Sequence, residues 1–115
     1  MVEGNYLNGK WRQALDKGAF EKRSPSHVDE IMVVFPDSDS KDVELAVQAA
    51  RQAFPVWRDL SLIKRAEYLD RFVQIVKADL ERLAKLMAQE MGKPVNECRA
   101  DVTEGIHMAQ YFFGR

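Results

Sequence analysis

Cys98 is the only cysteine in the 115-residue sequence, and therefore the only candidate thiolate nucleophile. It lies three residues after Val95 and four before Val102, a spacing that places all three on the apolar face of a predicted helix. Burial on such a face raises the pKa of a thiol and lowers its reactivity. Arg99 follows directly but projects about 100° away around the helix. We therefore predict a structural role for Cys98. A single cysteine also forms no internal disulfide, so nothing indicates an oxidising compartment.

His27 and His107 are the other candidates for acid–base or metal chemistry. We place His27 in a predicted turn after residues 24–26, and His107 on the last predicted helix. Neither a His-x-x-x-His nor a Cys-x-x-Cys spacing occurs, so the sequence predicts no metal site. A catalytic triad would require a serine, cysteine or threonine beside one of these imidazoles, and the sequence alone does not place one there.

Three carboxylates, Glu97, Asp101 and Glu104, follow one another at i, i+4 and i+7 and so share one helical face. Like charges at this spacing repel mildly, so such a row ordinarily faces solvent or meets cations from another element. Lys93 and Arg99 are the candidate partners. General acid–base chemistry would also require a pocket that raises a carboxyl pKa, and no pattern in the sequence indicates one.

Phosphate-binding motifs are missing from the sequence. Gly4, Gly9 and Lys10 have part of the spacing of a phosphate loop, but Trp11 stands where Ser or Thr would hold Mg²⁺. No Gly-x-Gly-x-x-Gly occurs, so the chain has no dinucleotide fingerprint of its own. We accordingly predict no catalytic, cofactor-binding or metal-binding residue in this chain.

The composition is that of an ordinary globular protein, with 46% hydrophobic and 30% charged residues and a net charge of −1. The basic clusters at residues 22–23 and 64–65 are too short to follow a nucleic acid or an anionic membrane. No apolar run is long enough to cross a bilayer, and the N-terminus lacks the pattern of a signal peptide. We therefore expect no nucleic-acid partner, no membrane association and a cytoplasmic location.

Residues 1–36 have the composition of short β-strands separated by turns. Aromatic and β-branched residues concentrate in four runs, at residues 6–8, 10–14, 19–23 and 30–35. Asn8 and Gly9 favour a tight turn because both tolerate positive φ. We expect an N-terminal β-hairpin or two to three short strands in this region.

Residues 37–115 change to a period near 3.6, which predicts about four amphipathic helices and a mainly α-helical chain. Their apolar faces are Val43, Ala46, Val47, Ala50 and Phe54 on the first; Ala66, Leu69, Phe72, Val73 and Val76 on the second; Leu80, Leu83, Ala84, Met87 and Met91 on the third; and Val95, Cys98, Val102, Ile106, Ala109 and Phe113 on the fourth.

Five residues set the predicted helix ends. Ser40 is the best-placed N-cap of the first helix, which Pro55 must end or kink. Ser61 caps the second helix. Gly92 accepts the left-handed conformation that ends the third, and Pro94 begins the fourth at its first position.

Several of these segments, in this order, resemble the N-terminal part of the aldehyde dehydrogenase superfamily. Residues 5–11 (NYLNGKW) resemble the family's opening strand and turn, and residues 42–57 resemble its "DVxxAVxAAxxAFxxW" helix. Residues 65–69 and 83–94 follow at the family's approximate spacing, and the latter end in a segment that resembles "E-x-G-K-P". The combined resemblance covers nearly the whole chain.

This resemblance implies part of an α/β enzyme several times longer, which forms homo-oligomers and oxidises aldehydes to acids or thioesters with NAD or NADP. The family's nucleophilic cysteine, glutamate base, oxyanion-holding asparagine and cofactor residues all follow the matched region, so none transfers to this chain. Cys98 does not correspond to that nucleophile. Some members hold a monovalent cation with an aspartate where this chain has Met91, which puts that site in doubt. Residues 23–30 also depart from the commoner "NPATGE" pattern.

Two hypotheses follow. In the first, residues 1–115 are the incomplete N-terminal part of an NAD(P)-dependent aldehyde dehydrogenase domain, with strands in 1–36 and helices in 37–115, inactive alone. Its partners are then the remainder of the enzyme, or further copies of the chain that bind through exposed apolar helix faces. The apolar stripe of the fourth helix, at residues 95–113, is the face that we expect to associate most readily. The alternative is a free-standing small helical protein-interaction module. The apolar run at residues 111–113, with no stop signal after it, favours the first.

Overall fold

A computed structural model describes residues 4–113 of the chain, which divides into two compact units, Met1–Asp59 and Leu60–Arg115. Unit 1 contains four strands and one helix, and unit 2 contains three helices. The elements are β1 (Asn5–Leu7), β2 (Lys10–Arg12), β3 (Ala19–Ser24), β4 (His27–Pro36), α1 (Ser40–Arg58), α2 (Leu62–Ala78), α3 (Leu80–Met91) and α4 (Val95–Phe113). The mainly helical fold with short N-terminal strands is confirmed.

The hairpin formed by β1 and β2 turns at Asn8 and Gly9, whose φ angles are 50° and 76°. This confirms the predicted tight turn. Tyr6 lies opposite Trp11, and their ring centroids are 5.0 Å apart. The aromatic pair stabilises a hairpin whose strands are only three residues each.

A second antiparallel hairpin joins β3 to β4, with pairs running from Ala19 opposite Pro36 to Ser24 opposite His27. The described residues therefore contain four strands, where two or three were expected. His27 begins β4 and does not lie in the turn, which is confined to residues 25–26. Pairing across this short turn extends both strands up to the residues that flank it.

Helix α1 differs from the prediction at both ends. Its N-cap is Asp39 and not Ser40, because the Asp39 carboxylate accepts hydrogen bonds from the backbone N–H groups of Lys41 and Asp42. Pro55 does not end the helix, which continues to Arg58. Proline removes only its own N–H, and its carbonyl still accepts a bond of 3.0 Å from the N–H of Asp59.

Asp42 is the buried polar residue that joins α1 to the strand region within unit 1. One of its carboxylate oxygens accepts the backbone N–H of Leu15 at 3.1 Å, and the other accepts that of Asp39 at 3.2 Å. The second bond completes a capping box with Asp39. A single side chain thus satisfies backbone donors from two segments of unit 1.

The predicted apolar face of α1 has helical periodicity but little burial. Val43, Val47 and Phe54 are all exposed in the described structure. Amphipathic spacing identifies an apolar face of a helix. Whether that face is buried depends on whether another element packs against it.

Unit 2 is held together by α4. Val102 and Ile106 of α4 form a buried cluster with Val73 of α2, and half-buried side chains surround this cluster: Val76, Leu80, Leu83, Met87 and Ala109. The expected exposure of the stripe at residues 95–113 is therefore wrong for its central part, which is the core. The Phe113 side chain, the last member of that stripe, and residues 114–115 lie outside the description.

The helix ends of unit 2 follow the sequence closely. Ser61 caps α2 by accepting the N–H of Lys64, and Gly92 ends α3 in the left-handed conformation with φ 69°. Pro94 was predicted at the first position of the fourth helix, but α4 begins at Val95. Pro94 immediately precedes it, and its carbonyl accepts the N–H of Cys98. Among the helices described, none is both long and apolar enough to cross a membrane.

Each unit leaves large apolar side chains exposed. These include Val43, Val47 and Phe54 in unit 1 and Phe72, Ile75 and Met91 in unit 2. A complete domain ordinarily covers apolar surface that is contiguous.

Replacing Asp42 by Ala should lower the free energy of unfolding by about 2 kcal/mol, because the N–H groups of Leu15 and Asp39 lose their acceptor. Urea unfolding followed by circular dichroism measures this change. Asp42→Asn keeps a carbonyl oxygen and should recover most of the loss. Glu44→Ala, which removes an exposed acid two residues further along α1, is the matched control and should have little effect. Equal destabilisation by Asp42→Ala and Glu44→Ala would contradict the assignment.

Candidate functional site

Cys98 lies fully buried on α4, with 0% of its surface exposed. Its Sγ is 3.9 Å from the backbone carbonyl oxygen of Lys93, which accepts a weak hydrogen bond from the thiol. The burial predicted from the stripe spacing is confirmed. In the structure of unit 2, a substrate cannot reach a thiol that is enclosed in this way.

Lys93 neutralises part of the predicted carboxylate row. Its Nζ is 2.5 Å from the nearer Asp101 oxygen and 3.9 Å from Glu97. The hydrogen bond to Asp101 is the main cause that raises the pKa of Lys93 above its ordinary value. Glu104 is exposed and forms no ion pair with any residue in 4–113. Two of the three carboxylates in the row therefore form ion pairs with Lys93, and Glu104 forms none within the described residues.

Arg99 pairs with α3 instead of with the carboxylate row. Its guanidinium contacts both carboxylate oxygens of Glu81, at 2.7 Å and 3.0 Å. This hydrogen-bonded pair lowers the pKa of Glu81. The two residues are 18 positions apart and lie on different helices, so helical spacing does not predict this contact.

The histidines do not assemble a site. His27 begins β4 and His107 lies on α4, and both are exposed. Within residues 4–113, no group of three or more His, Cys, Asp or Glu side chains is placed to hold a metal ion. The sequence prediction that the chain lacks catalytic and binding residues remains a prediction.

An apolar groove of about 590 Å³ lies among α2, α3 and α4. It is lined by Phe72, Val76, Leu83, Leu86, Met87, Glu90, Met91, Val102 and Gly105. Phe72 and Met91 belong to the predicted apolar faces of the second and third helices, and they line this open groove. Leu86 and Glu90 fall outside the predicted apolar faces, so the sequence analysis missed them. The size matches protein pockets that bind ligands, but the lining holds a single ionisable group.

Comparison with known proteins connects these observations. The model of the aldehyde dehydrogenase family matches residues 11–115. The chain is 34% identical over 110 residues to malonate-semialdehyde dehydrogenase from Lacticaseibacillus casei. This match covers 96% of this chain and 22% of that protein. It is 32% identical, with the same coverage, to alpha-ketoglutaric semialdehyde dehydrogenase from Bacillus subtilis.

Solved structures show the same relation. The fold matches the NAD-dependent aldehyde dehydrogenase from Sinorhizobium meliloti with a TM-score of 0.92 and 27% identity, over 99% of this chain and 23% of that one. The chain therefore spans about a fifth of the length of the relatives it matches.

The Cys98 thiol should react slowly with a thiol reagent in the native state and much faster in denaturant. Burial in unit 2 is the cause, and a chromogenic disulfide reagent measures both rates. Equal rates would show an accessible thiol and reopen a chemical role.

Cys98→Ala should cost about 1 kcal/mol of stability through lost apolar contact, and Cys98→Asp several times more, since it buries an unpaired charge.

The Arg99–Glu81 pair should make stability depend on pH in the acid range. The folded pKa of Glu81 is lowered, so its stabilisation is complete above the unfolded value of about 4.3 and is lost as pH falls through the folded value. Glu81→Gln should therefore lower the Tm at pH 7, with a difference from the natural chain that shrinks below about pH 4. Thermal melts across this range measure it, with Glu104→Gln as the unpaired control. A difference that stays constant down to pH 3 would contradict the account.

Proposed function

The chain belongs to the aldehyde dehydrogenase family, and we propose that it is the N-terminal segment of an NAD- or NADP-dependent enzyme that oxidises an aldehyde to a carboxylic acid. One observation carries the proposal: the match extends over 96% of this chain but only 22% of the relatives. On this account residues 1–36 and 37–115 are both parts of one larger domain. The remaining part supplies the chemistry.

The described side chains support a structural role for this segment. The Cys98 thiol is enclosed in the core of unit 2, where no substrate reaches it. Asp101 and Glu97 face Lys93, and both carboxylates lie within ion-pair distance of its ammonium group. A nucleophile and a base in mutual contact, as aldehyde oxidation requires, do not occur among residues 4–113.

The N-termini of α1 and α2 do not fit the pyrophosphate of a dinucleotide. A pyrophosphate binds where a helix N-terminus offers free backbone N–H groups. At α1 the amides of Lys41 and Asp42 are already taken by Asp39, and Asp42 adds a second negative charge. At α2 the Ser61 hydroxyl accepts the N–H of Lys64. We therefore derive no cofactor step from this segment.

The groove and the exposed faces of α1 and α2 support contact with the rest of an enzyme of this family, or self-association where that part is missing. Contiguous apolar surface of this kind drives association. The alternative function, a free-standing helical interaction module, draws on the same groove. The two differ in stability, because a free-standing module would be a compact monomer with one sharp cooperative melt, whereas an incomplete domain would be marginally stable.

Purified chain should show no aldehyde oxidation and no saturable binding of NAD or NADP. The reasons are the enclosed thiol, the lack of a phosphate-binding motif in the sequence, and the side-chain caps on the N-termini of α1 and α2. Formation of the reduced nucleotide, followed by absorbance, and calorimetric titration with each nucleotide measure the two properties. The full-length Lacticaseibacillus casei relative is the positive control. Turnover with any aldehyde, or a micromolar nucleotide isotherm, would overturn the proposal.

A further inference from the structure

The turn between β1 and β2 presents an asparagine that is followed by glycine. Asn8 and Gly9 connect the cross-strand pair of Leu7 and Lys10, so both lie outside the paired strands. Both are exposed, and each has a positive φ angle. A Cβ at Gly9 would meet no atom within 4 Å, so this side of the turn is open within the described residues. Water therefore reaches the segment.

Hydrogen bonds hold the two other asparagines of the chain in place, whereas none holds Asn8. The Asn5 amide donates a hydrogen bond of 2.7 Å to the Ser38 hydroxyl. The side-chain carbonyl oxygen of Asn96 accepts one from Arg99. The Asn8 carboxamide forms no hydrogen bond with any residue of the described range 4–113. Its side chain is therefore free to turn towards the following backbone nitrogen.

An asparagine side chain reacts with the backbone of the next residue when the two meet. The backbone nitrogen attacks the side-chain carbonyl carbon Cγ, and the new N–Cγ bond closes a five-membered succinimide. The Cγ–Nδ2 bond breaks, and Nδ2 leaves as ammonia with the proton of the attacking amide. A side chain on the next residue obstructs this attack, so glycine permits it best. Gly9 follows Asn8, whereas a tyrosine and a glutamate follow the other two asparagines.

We propose that Asn8 is a site of spontaneous deamidation, with Gly9 as the attacking residue and water as the second reactant. Water opens the succinimide at either carbonyl carbon. Attack at the side-chain carbon gives aspartate, and attack at the main-chain carbon gives isoaspartate. The net change replaces an amide by a carboxylate and releases ammonia, with no oxidation or reduction. This inference does not depend on the proposed function.

Isoaspartate at this position disrupts the hairpin. It carries the main chain through Cβ and so lengthens a loop whose geometry depends on having two residues with positive φ. The strands β1 and β2 have three residues each, so no long ladder of hydrogen bonds maintains the register. Tyr6 and Trp11, whose ring centroids are 5.0 Å apart, then lose their contact. Deamidation is thus a one-way switch that loosens the hairpin.

Peptide mapping of the 115-residue chain tests the proposal. The folded chain is incubated at mildly alkaline pH, and tandem mass spectrometry measures amide loss at each asparagine separately. Asn8 should lose its amide about tenfold faster than Asn5 or Asn96, because glycine leaves the attacking nitrogen unobstructed. An isoaspartate-specific methyltransferase then measures the isomerised product. Asn5 and Asn96 are controls within the same molecule, so this comparison requires no variant.

Two variants separate the chemistry from the folding. Gly9→Ala is compared with the natural chain in urea, where the positive φ of residue 9 is no longer required. It should slow amide loss at Asn8 about tenfold and leave the rate at Asn5 unchanged. Asn8→Asp has the charge of the product but an ordinary backbone. It should keep the near-ultraviolet circular dichroism of Tyr6 and Trp11, which the isoaspartate form should lose.

Amide loss at Asn5 or Asn96 that is as fast as at Asn8 would overturn the proposal. A rate at Asn8 in the folded chain that is more than about tenfold below the rate in urea would also overturn it, since the turn would then protect this residue. An isoaspartate form that keeps the dichroism of Tyr6 and Trp11 would contradict the loosening of the hairpin.

Discussion

The buried face of α4 is the constraint on which unit 2 depends. Cys98, Val102 and Ile106 pack at successive turns of one helix, and Val73 of α2 and Ala84 of α3 are buried with them in unit 2. These are small or medium side chains, so the helices approach closely but enclose a small core. Because α4 uses this face internally, whatever covers the rest of unit 2 must attach elsewhere, and the groove bordered by α2 and α3 is the surface left open.

Polar groups follow the opposite pattern, because most of them are satisfied within their own unit. Asp39 and Asp42 complete the N-terminus of α1, and Arg99 and Glu81 connect α3 with α4. Side chains committed to such contacts are unavailable for catalysis. An excess of open apolar surface together with satisfied polar groups is typical of a structural segment, and Glu90 is a half-buried exception.

Local chemistry explains what the sequence could predict. The turn at Asn8, the cap at Ser61 and the end at Gly92 depend on neighbouring residues, and the structure has each of them as predicted. The cap of α1 was misplaced by one residue, because Asp39 and Ser40 are both good caps and the reciprocal contact with Asp42 decides between them.

The groove was beyond sequence analysis for a different reason. Periodicity identifies apolar faces such as that of Phe72, but it does not reveal whether a neighbouring helix covers them. Contacts between residues distant in sequence, such as Arg99 with Glu81, depend on how the helices cross. The candidate site depends almost entirely on such long-range contacts. The fold class depends on local patterns, which the sequence shows directly.

The heat capacity change on unfolding tests most directly whether this chain is an incomplete part of a larger domain. It reports the apolar surface buried in the folded state, and an ordinary domain of this length gives about 1.4 to 1.7 kcal/mol/K. Scanning calorimetry at concentrations where light scattering detects no association should give a value below this range, because apolar side chains such as Val43, Phe54 and Phe72 are already exposed to water in the folded chain. A value inside the ordinary range, with a single two-state transition, would contradict the account.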